Sequence, residues 1–298
     1  MFFLLSSLWF LTHNVPVPND YQLVTLANGQ RTLFSASYGE KMHPGPGPQT
    51  EADLLYVRQL HICERLAKTS GEFVIWDIGL GAAANAVAVL RATTDVPGLL
   101  RLVSFDNTAE PLEFALKNSA ALGYVSGYEG PLSDLLRTKT TAFSNGSLKV
   151  DWQFHLGDFP AWLGMEDRRA VSPPHAIFYD AFSPAKNPAM WTLPVFQNLY
   201  RALDPERPCA LTTYSRSTLL RATLLLAGFF VGVGHATGMK EETTIAANTF
   251  DLIREPLDDR WLARARRSHS AEPLGQPAYS RAPLSPASAL LSHPQFQK

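Results

Sequence analysis

The sequence predicts an α/β fold, a seven-stranded and mostly parallel sheet with helices on both faces and a β-hairpin ahead of it. Three observations predict it. The first is the run from Phe73 to Ile78, rich in β-branched and aromatic residues and without apolar/polar alternation, as a parallel-sheet strand covered on both faces requires. It ends in Asp77-Ile78-Gly79-Leu80-Gly81, and the small residues from Ala82 to Leu90 then read as a helix that packs close against the sheet. The second is that strand-length apolar runs alternate with helix-period segments from there to Asn248. The third is an acid at successive strand ends: Asp77, Asp106, Asp158 and Asp180.

Composition sets bounds on function. A chain of 298 residues with 46% apolar content holds one large α/β domain with extensions or two small ones. Lys and Arg total 26 against 27 acids, so there is no global basic field, and a nucleic-acid partner must be held by a local patch. Cys63 and Cys209 lie far apart with no CxxC or Cys/His cluster, which argues against a zinc site or a disulfide framework and for reduced, buried thiols in a cytoplasmic protein. Met1 to Leu11 is apolar but lacks a positive leading region and an A-x-A site, and eleven residues cannot span a bilayer. Residues 1–20 are therefore expected to be a poorly ordered extension, with no membrane segment and no metal.

In chain order, the domain is expected over residues 21–256. Gln22 to Leu26 and Arg31 to Phe34 flank Asn28-Gly29, the signal of a tight primed hairpin turn. The Gly- and Pro-rich stretch Ser35 to Pro48 is then a loop that can lie over the ligand edge of the sheet or simply cross the surface. Thr50 with Asp53 three residues later is a capping pattern for a helix running to Lys68. Leu99 to Phe105 is the second strand, Glu110 to Leu122 a helix stopped by Gly123, and Tyr124 to Gly146 an insertion with one short helix. Lys149 to Phe154 is the third strand and the run reaching Asp180 the fourth. Helices at Trp191 to Leu203 and Thr218 to Ala227 bracket a fifth strand, Cys209 to Tyr214. Phe229 to Val233 and Thr243 to Asn248 close the sheet, with an antiparallel final strand. Residues 257–298, rich in Ser, Pro and Ala, read as a mostly disordered tail.

The candidate site lies at the strand ends. Gly79 and Gly81 lack Cβ atoms and let a ligand approach the carboxyl edge, where open α/β sheets bind their ligands. Asp106, about 25 residues beyond the glycine turn, stands where nucleoside-binding folds place a carboxylate for the ribose hydroxyls, although a helix-capping role is the plain alternative. Asp158 falls in reach of an adenine amine, and Phe159 is placed to stack on the purine. Asp180 is followed by Phe182, Ser183, Pro184 and Lys186, a run that suits an active-site lip better than packing.

Four strand ends offering acids to one edge resemble the layout of a Rossmann-like class I S-adenosylmethionine methyltransferase. The motifs Thr25-Leu-Ala-Asn-Gly29 with Thr32-Leu33, Tyr38-Gly39-Glu40, Asp180 to Trp191, Thr213-Tyr-Ser-Arg216 and Gly238-Met-Lys240 resemble, more closely, the MnmC-type tRNA methyltransferase domain. The resemblance covers about Tyr21 to Arg254. It implies S-adenosyl-L-methionine as cofactor, tRNA at its anticodon as partner, and methylation of the 5-aminomethyl group of the wobble uridine, without the flavin-dependent half of bifunctional members. It implies Asp180 as the catalytic residue facing the methyl group. Glu40, Asp77, Gly79, Gly81, Asp106, Asp158 and Phe159 fall on the cofactor, and Tyr38, Phe182, Lys186, Trp191 and Lys240 on the substrate. The sequence departs from the family at Lys240-Glu241-Glu242, where Lys-Arg-Glu is common, so a positive charge is missing near the RNA side. A small-molecule amine or another RNA position as acceptor stays open, as does a non-catalytic cofactor-binding RNA module.

Overall fold

Three short antiparallel strands precede the main sheet: β1 (Tyr21–Thr25), β2 (Arg31–Ser35) and β3 (Glu40–Lys41). These come from a computed structural model of the chain, which describes residues 20–237, 241–286 and 289–297. The expected N-terminal extension therefore lies outside the described residues except for Asp20, and so does Lys240. Asp20 is buried and ties the small sheet together, accepting from the Ser35 hydroxyl at 2.8 Å and the Ser37 amide at 2.6 Å. The turn differs from the tight one expected. Register pairs Thr25 with Arg31, so five residues cross over, closed by Leu26 N–H to Gln30 O at 2.8 Å, with only Gly29 at positive φ. A longer loop needs a single left-handed position, which Gly29 fills.

The main sheet is built on β4 (Glu72–Ile78), with β5 (Gly98–Asp106), β6 (Thr140–Asn145), β7 (Leu148–Leu156), β8 (Ala176–Tyr179), β9 (Ala210–Thr213), β10 (Phe230–Gly234) and β11 (Thr243–Ala247). Their order is β10-β11-β9-β8-β4-β5-β7-β6. The five strands from β9 to β7 are parallel neighbours, while β11 runs antiparallel to both β9 and β10. The α/β class is as expected, and so is an antiparallel strand in the closing pair. The sheet has eight strands among the described residues, not seven. The extra one, β6, pairs antiparallel with β7 inside the stretch expected to hold only a short helix. Its residues alternate between exposed and half-buried, so it carries no apolar stripe to betray it.

Residues Phe73 to Ile78 are all buried, and their side chains divide by the strand's period of two. Phe73 and Ile75 enter the core under the helix Ala84–Ala92, while Val74, Trp76 and Ile78 enter the opposite core with the helices Leu193–Ala202 and Thr218–Ala227. Chain order reverses between β4 and β8, and at such a switch point the helices diverge and leave a crevice at the carboxyl edge.

The C-terminal region corrects the expectation of a disordered tail. A helix Asp259–Arg266 buries Trp261, Leu262 and Ala265, and beyond it Ala271, Leu274 and Leu290 are buried too. Leu193 N–H donates to Leu274 O at 2.8 Å. The Gln295 side chain satisfies the edge of β10, accepting from Val231 N–H and donating to Val231 O, both at 2.8 Å. Widely spaced anchors in a Ser/Pro/Ala background suffice to strap this segment across the sheet edge, which composition alone hides. Among the described residues no helix is long and apolar enough to cross a membrane.

Candidate active site

The crevice at the carboxyl edge opens into a cleft of about 400 Å³. It is lined from the turn after β4 by Gly79 and Gly81, from β5 by Asp106, after β7 by Asp158 and Phe159, and after β8 by Asp180, Phe182 and Ser183. The loop from the small sheet completes it with Tyr38, Glu40 and His43. The Gly- and Pro-rich loop does cover the ligand edge.

The glycine turn is shaped by its surroundings. Gly79 has φ +94°, and a Cβ there would stand 2.7 Å from the Asp180 carbonyl oxygen, so only glycine fits between β4 and β8. The amides of Gly79 and Leu80 both donate to Phe105 O, at 2.9 and 3.1 Å. Gly81 N–H donates to Asp106 Oδ2 at 2.8 Å, and Thr108 N–H to Asp106 Oδ1 at 3.2 Å. Asp106 is thus fixed at the end of β5 with lone pairs remaining on both oxygens, since a carboxylate accepts about four hydrogen bonds. Burial pushes its carboxyl up to about 6 despite the lowering effect of the Gly81, Thr108 and Asn107 amides.

Asp158 caps the helix Phe159–Leu163, accepting from Ala161 N–H at 2.7 Å, and Phe159 is buried edge-on to Phe105. Asp180 accepts from Asn85 Nδ2 at 2.8 Å, and His43 Nε2 lies 3.7 Å from the same oxygen. The fully buried Tyr56 stands near Asp180 but short of hydrogen-bond geometry. Burial first, then that carboxylate, raise its phenol well above the usual range. Glu40 holds the loop after β8 to the small sheet, accepting from the Ser183 hydroxyl and, at 3.1 Å, from the Ser183 amide.

Three expected site residues fall elsewhere. Asp77 does not line the cleft. Its place in the strand's alternation directs it with Phe73 and Ile75 into the core, where it accepts from the Ser104 hydroxyl at 2.9 Å, itself an acceptor for Trp152 Nε1. Burial pushes the Asp77 carboxyl up to about 8, with Asp180 and Asp106 adding to the rise and Ser104 opposing it. Trp191 is fully buried and donates from Nε1 to Phe182 O at 2.7 Å, so it supports the cleft from beneath and forms no wall of it. Lys186 is exposed at the rim beside Gly39 and outside the lining. Tyr38 and Phe182 do line the mouth, but their rings stack on each other at 4.0 Å and 14°, closing the gap between them.

Sequence reasoning missed His43, Glu51 and Asn85. Each sits in a segment read for backbone reasons: a Pro/Gly loop, a helix start and a small-residue helix. The tertiary fold brings them to one end of the cleft, Asn85 from the helix after the glycine turn, and His43 and Glu51 from the loop and the helix that follows it. A partial signal for Asn85 existed, as the one polar residue among Ala82 to Leu90.

The cleft suits a cationic nucleoside. Glu40, Glu51, Asp106, Asp158 and Asp180 line it against a single lysine, Lys41, and the Gly79–Gly81 turn forms part of its wall. A sulfonium ligand carrying an adenosine matches that field and that shape.

Comparison with known proteins agrees. Residues 137–249 match the profile of a family described as S-adenosyl-L-methionine-dependent methyltransferase. The chain is 28% identical over 249 residues, 81% of its length, to the tRNA 5-methylaminomethyl-2-thiouridine biosynthesis bifunctional protein MnmC of Methylibium petroleiphilum. It is 26% identical over 227 residues, 72% of its length, to the protein of the same name from Aeromonas hydrophila. These matches span 37% and 34% of the relatives, so the chain corresponds to about a third of their length. The crystal structure of MnmC2 from Aquifex aeolicus shares the fold, with a TM-score of 0.65 at 23% identity over 85% of this chain and 78% of that one. The chain is thus similar to S-adenosyl-L-methionine-dependent methyltransferases over residues 137–249, and to MnmC proteins over most of its own length.

Proposed function

We propose that the chain methylates a primary amine on RNA, the 5-aminomethyl group of the tRNA wobble uridine, with the cofactor held in the acid-lined cleft. The single observation that carries this reading is the placement of Asp180. Its carboxylate is fixed by Asn85 at the inner wall of a cleft whose other wall is the glycine turn and Asp106. The relatives' name, tRNA 5-methylaminomethyl-2-thiouridine biosynthesis bifunctional protein, supports an aminomethyl acceptor on tRNA, and a tRNA substrate is consistent with a cytoplasmic setting.

In this reading Asp106 takes the ribose hydroxyls, Asp158 and Phe159 the adenine, and the Gly79–Gly81 turn the methionine portion. S-adenosyl-L-methionine, when bound, supplies a methyl group already activated on sulfonium. What remains for the protein is mainly alignment, which can be worth about 7–11 kcal/mol. Asp180 holds the acceptor nitrogen in line. Glu40 keeps the loop carrying Phe182 in place through Ser183, and the Tyr38–Phe182 stack at the mouth offers a platform for an unstacked base. Asp77 takes no direct part. Lys186 at the rim and Lys240 are assigned to the RNA backbone.

The test is methyl transfer from labelled cofactor to tRNA prepared from cells lacking this modification, followed by nucleoside analysis. Label in the wobble nucleoside is the expected result. Label in small molecules or in another RNA position would replace the acceptor, and cofactor binding without transfer would make the chain a binding module.

A further inference from the structure

His43 lies in the loop that carries Tyr38 and Glu40, but the motif reading gives it no role. Its backbone lies at φ +51°, a left-handed conformation that few L residues adopt, and its side chain is only 11% exposed. The ring lines the cleft between two acids. Nε2 stands 3.7 Å from Asp180 Oδ2, and Nδ1 stands 4.0 Å from Glu51 Oε2.

Methyl transfer to an amine has a proton problem. An alkylammonium has no lone pair, so one proton must leave before nitrogen can attack. The titratable groups around the ring come from every element that forms this end of the cleft: Asp180 after β8, Glu51 and Tyr56 from the helical segment after the loop, Tyr214 after β9, and Glu40 on β3. The two phenols are unfit to accept a proton, because burial first and the Asp180 carboxylate second raise both well above the usual range. The Tyr214 hydroxyl also donates to Ala181 O at 2.9 Å. Glu40 is engaged by Ser183. Imidazole as a class titrates near neutrality, where a general base is most effective, whereas carboxylates as a class release the proton too readily.

We propose that His43 accepts the proton of the acceptor amine, while Asp180 holds the nitrogen in line. This rests on the methyl-transfer reading above. The ammonium gives one proton to His43 Nε2. The freed nitrogen lone pair forms the N–C bond as the C–S bond breaks, its electron pair staying on sulfur. The product is a secondary ammonium, and the proton leaves His43 for solvent, one per turnover. Asp180 and Glu51 stand one on each side of the ring.

The experiment compares the full chain with His43→Gln and His43→Ala, using tRNA bearing the aminomethyl group, from about pH 6 to about pH 9. His43→Gln is expected to lower kcat by about 10²-fold near neutrality, with cofactor affinity by calorimetry, KM for tRNA and melting temperature little changed. The deficit should shrink as pH rises and the amine deprotonates unaided, and added imidazole should restore part of the rate of His43→Ala. Should His43→Gln fold poorly, His43→Asn read on the same pH profile gives the same discrimination. Wild-type kcat and pH profile in His43→Gln would overturn the inference alone. No transfer to this tRNA by the wild-type chain would overturn the acceptor reading and this inference with it.

Discussion

A carboxylate's surroundings decide its work, and Asp77, Asp106 and Asp180 differ in that respect although each ends or follows a strand. Asp106 is presented to the cleft but pushed up to about 6 by burial. If, as proposed, its charged form takes the ribose diol, cofactor affinity should be steady above about pH 7 and fall as pH drops through about 6. Calorimetric titration at several pH values checks this, and Asp106→Asn should bind weakly at all of them. Asp77 is the opposite case. Its raised value means that the folded chain keeps a proton the unfolded chain releases, so its stabilising contribution is full below the ordinary carboxylate range and is lost as pH climbs through about 8. Asp77→Asn should flatten the dependence of melting temperature on pH across that window without abolishing cofactor binding. Replacing Asp180 with Ala should lower kcat by at least about 10²-fold while cofactor binding remains measurable. Unchanged turnover would remove Asp180 from the reaction. Residue types and strand ends made Asp106, Asp158 and Asp180 legible in the sequence. Asp77 was misplaced because its spacing to the glycines fits a site as well as a core, and only the strand's alternation tells which face it takes.

At the scale of elements, the glycine turn and the C-terminal strap show what a linear reading sees and misses. Gly79 is constrained from two sides, by φ +94° and by the Asp180 carbonyl 2.7 Å from where a Cβ would stand. Gly79→Ala should cost about 2 kcal/mol or more and displace the loop that carries Asp180, with loss of cofactor binding. The turn was legible because glycine requirements are local. The strap was not, because Leu274 and Leu290 anchor it singly across long polar stretches, and Gln295 acts through a side-chain amide that mimics a strand partner. Each buried leucine is worth about 1.5–3 kcal/mol. Deleting residues 268–298 should therefore lower the melting temperature markedly and expose the β10 edge to association, seen as light scattering on heating. An unchanged melting curve would contradict the packing described. Strand β6 was hidden for a related reason, its half-exposed polar face lacking the period that marks a buried strand.

For the whole molecule, the parallel strands bring segments more than a hundred residues apart to one edge, and the small sheet closes over them through Glu40 and Ser183. The class of fold followed from the alternation of strands and helices. The meeting of His43, Glu51, Asn85 and Asp180 did not, since it depends on how three separate segments pack, one of them an irregular loop. The proposed function stands or falls with the acid-lined cleft as the cofactor site, which calorimetric titration of the full chain with S-adenosyl-L-methionine can decide. The titration should show one saturable site in the wild-type chain, lost in Gly79→Ala and in Asp106→Ala while both variants still melt cooperatively. Undiminished binding in those two folded variants, or no binding in the wild-type chain, would contradict that assignment.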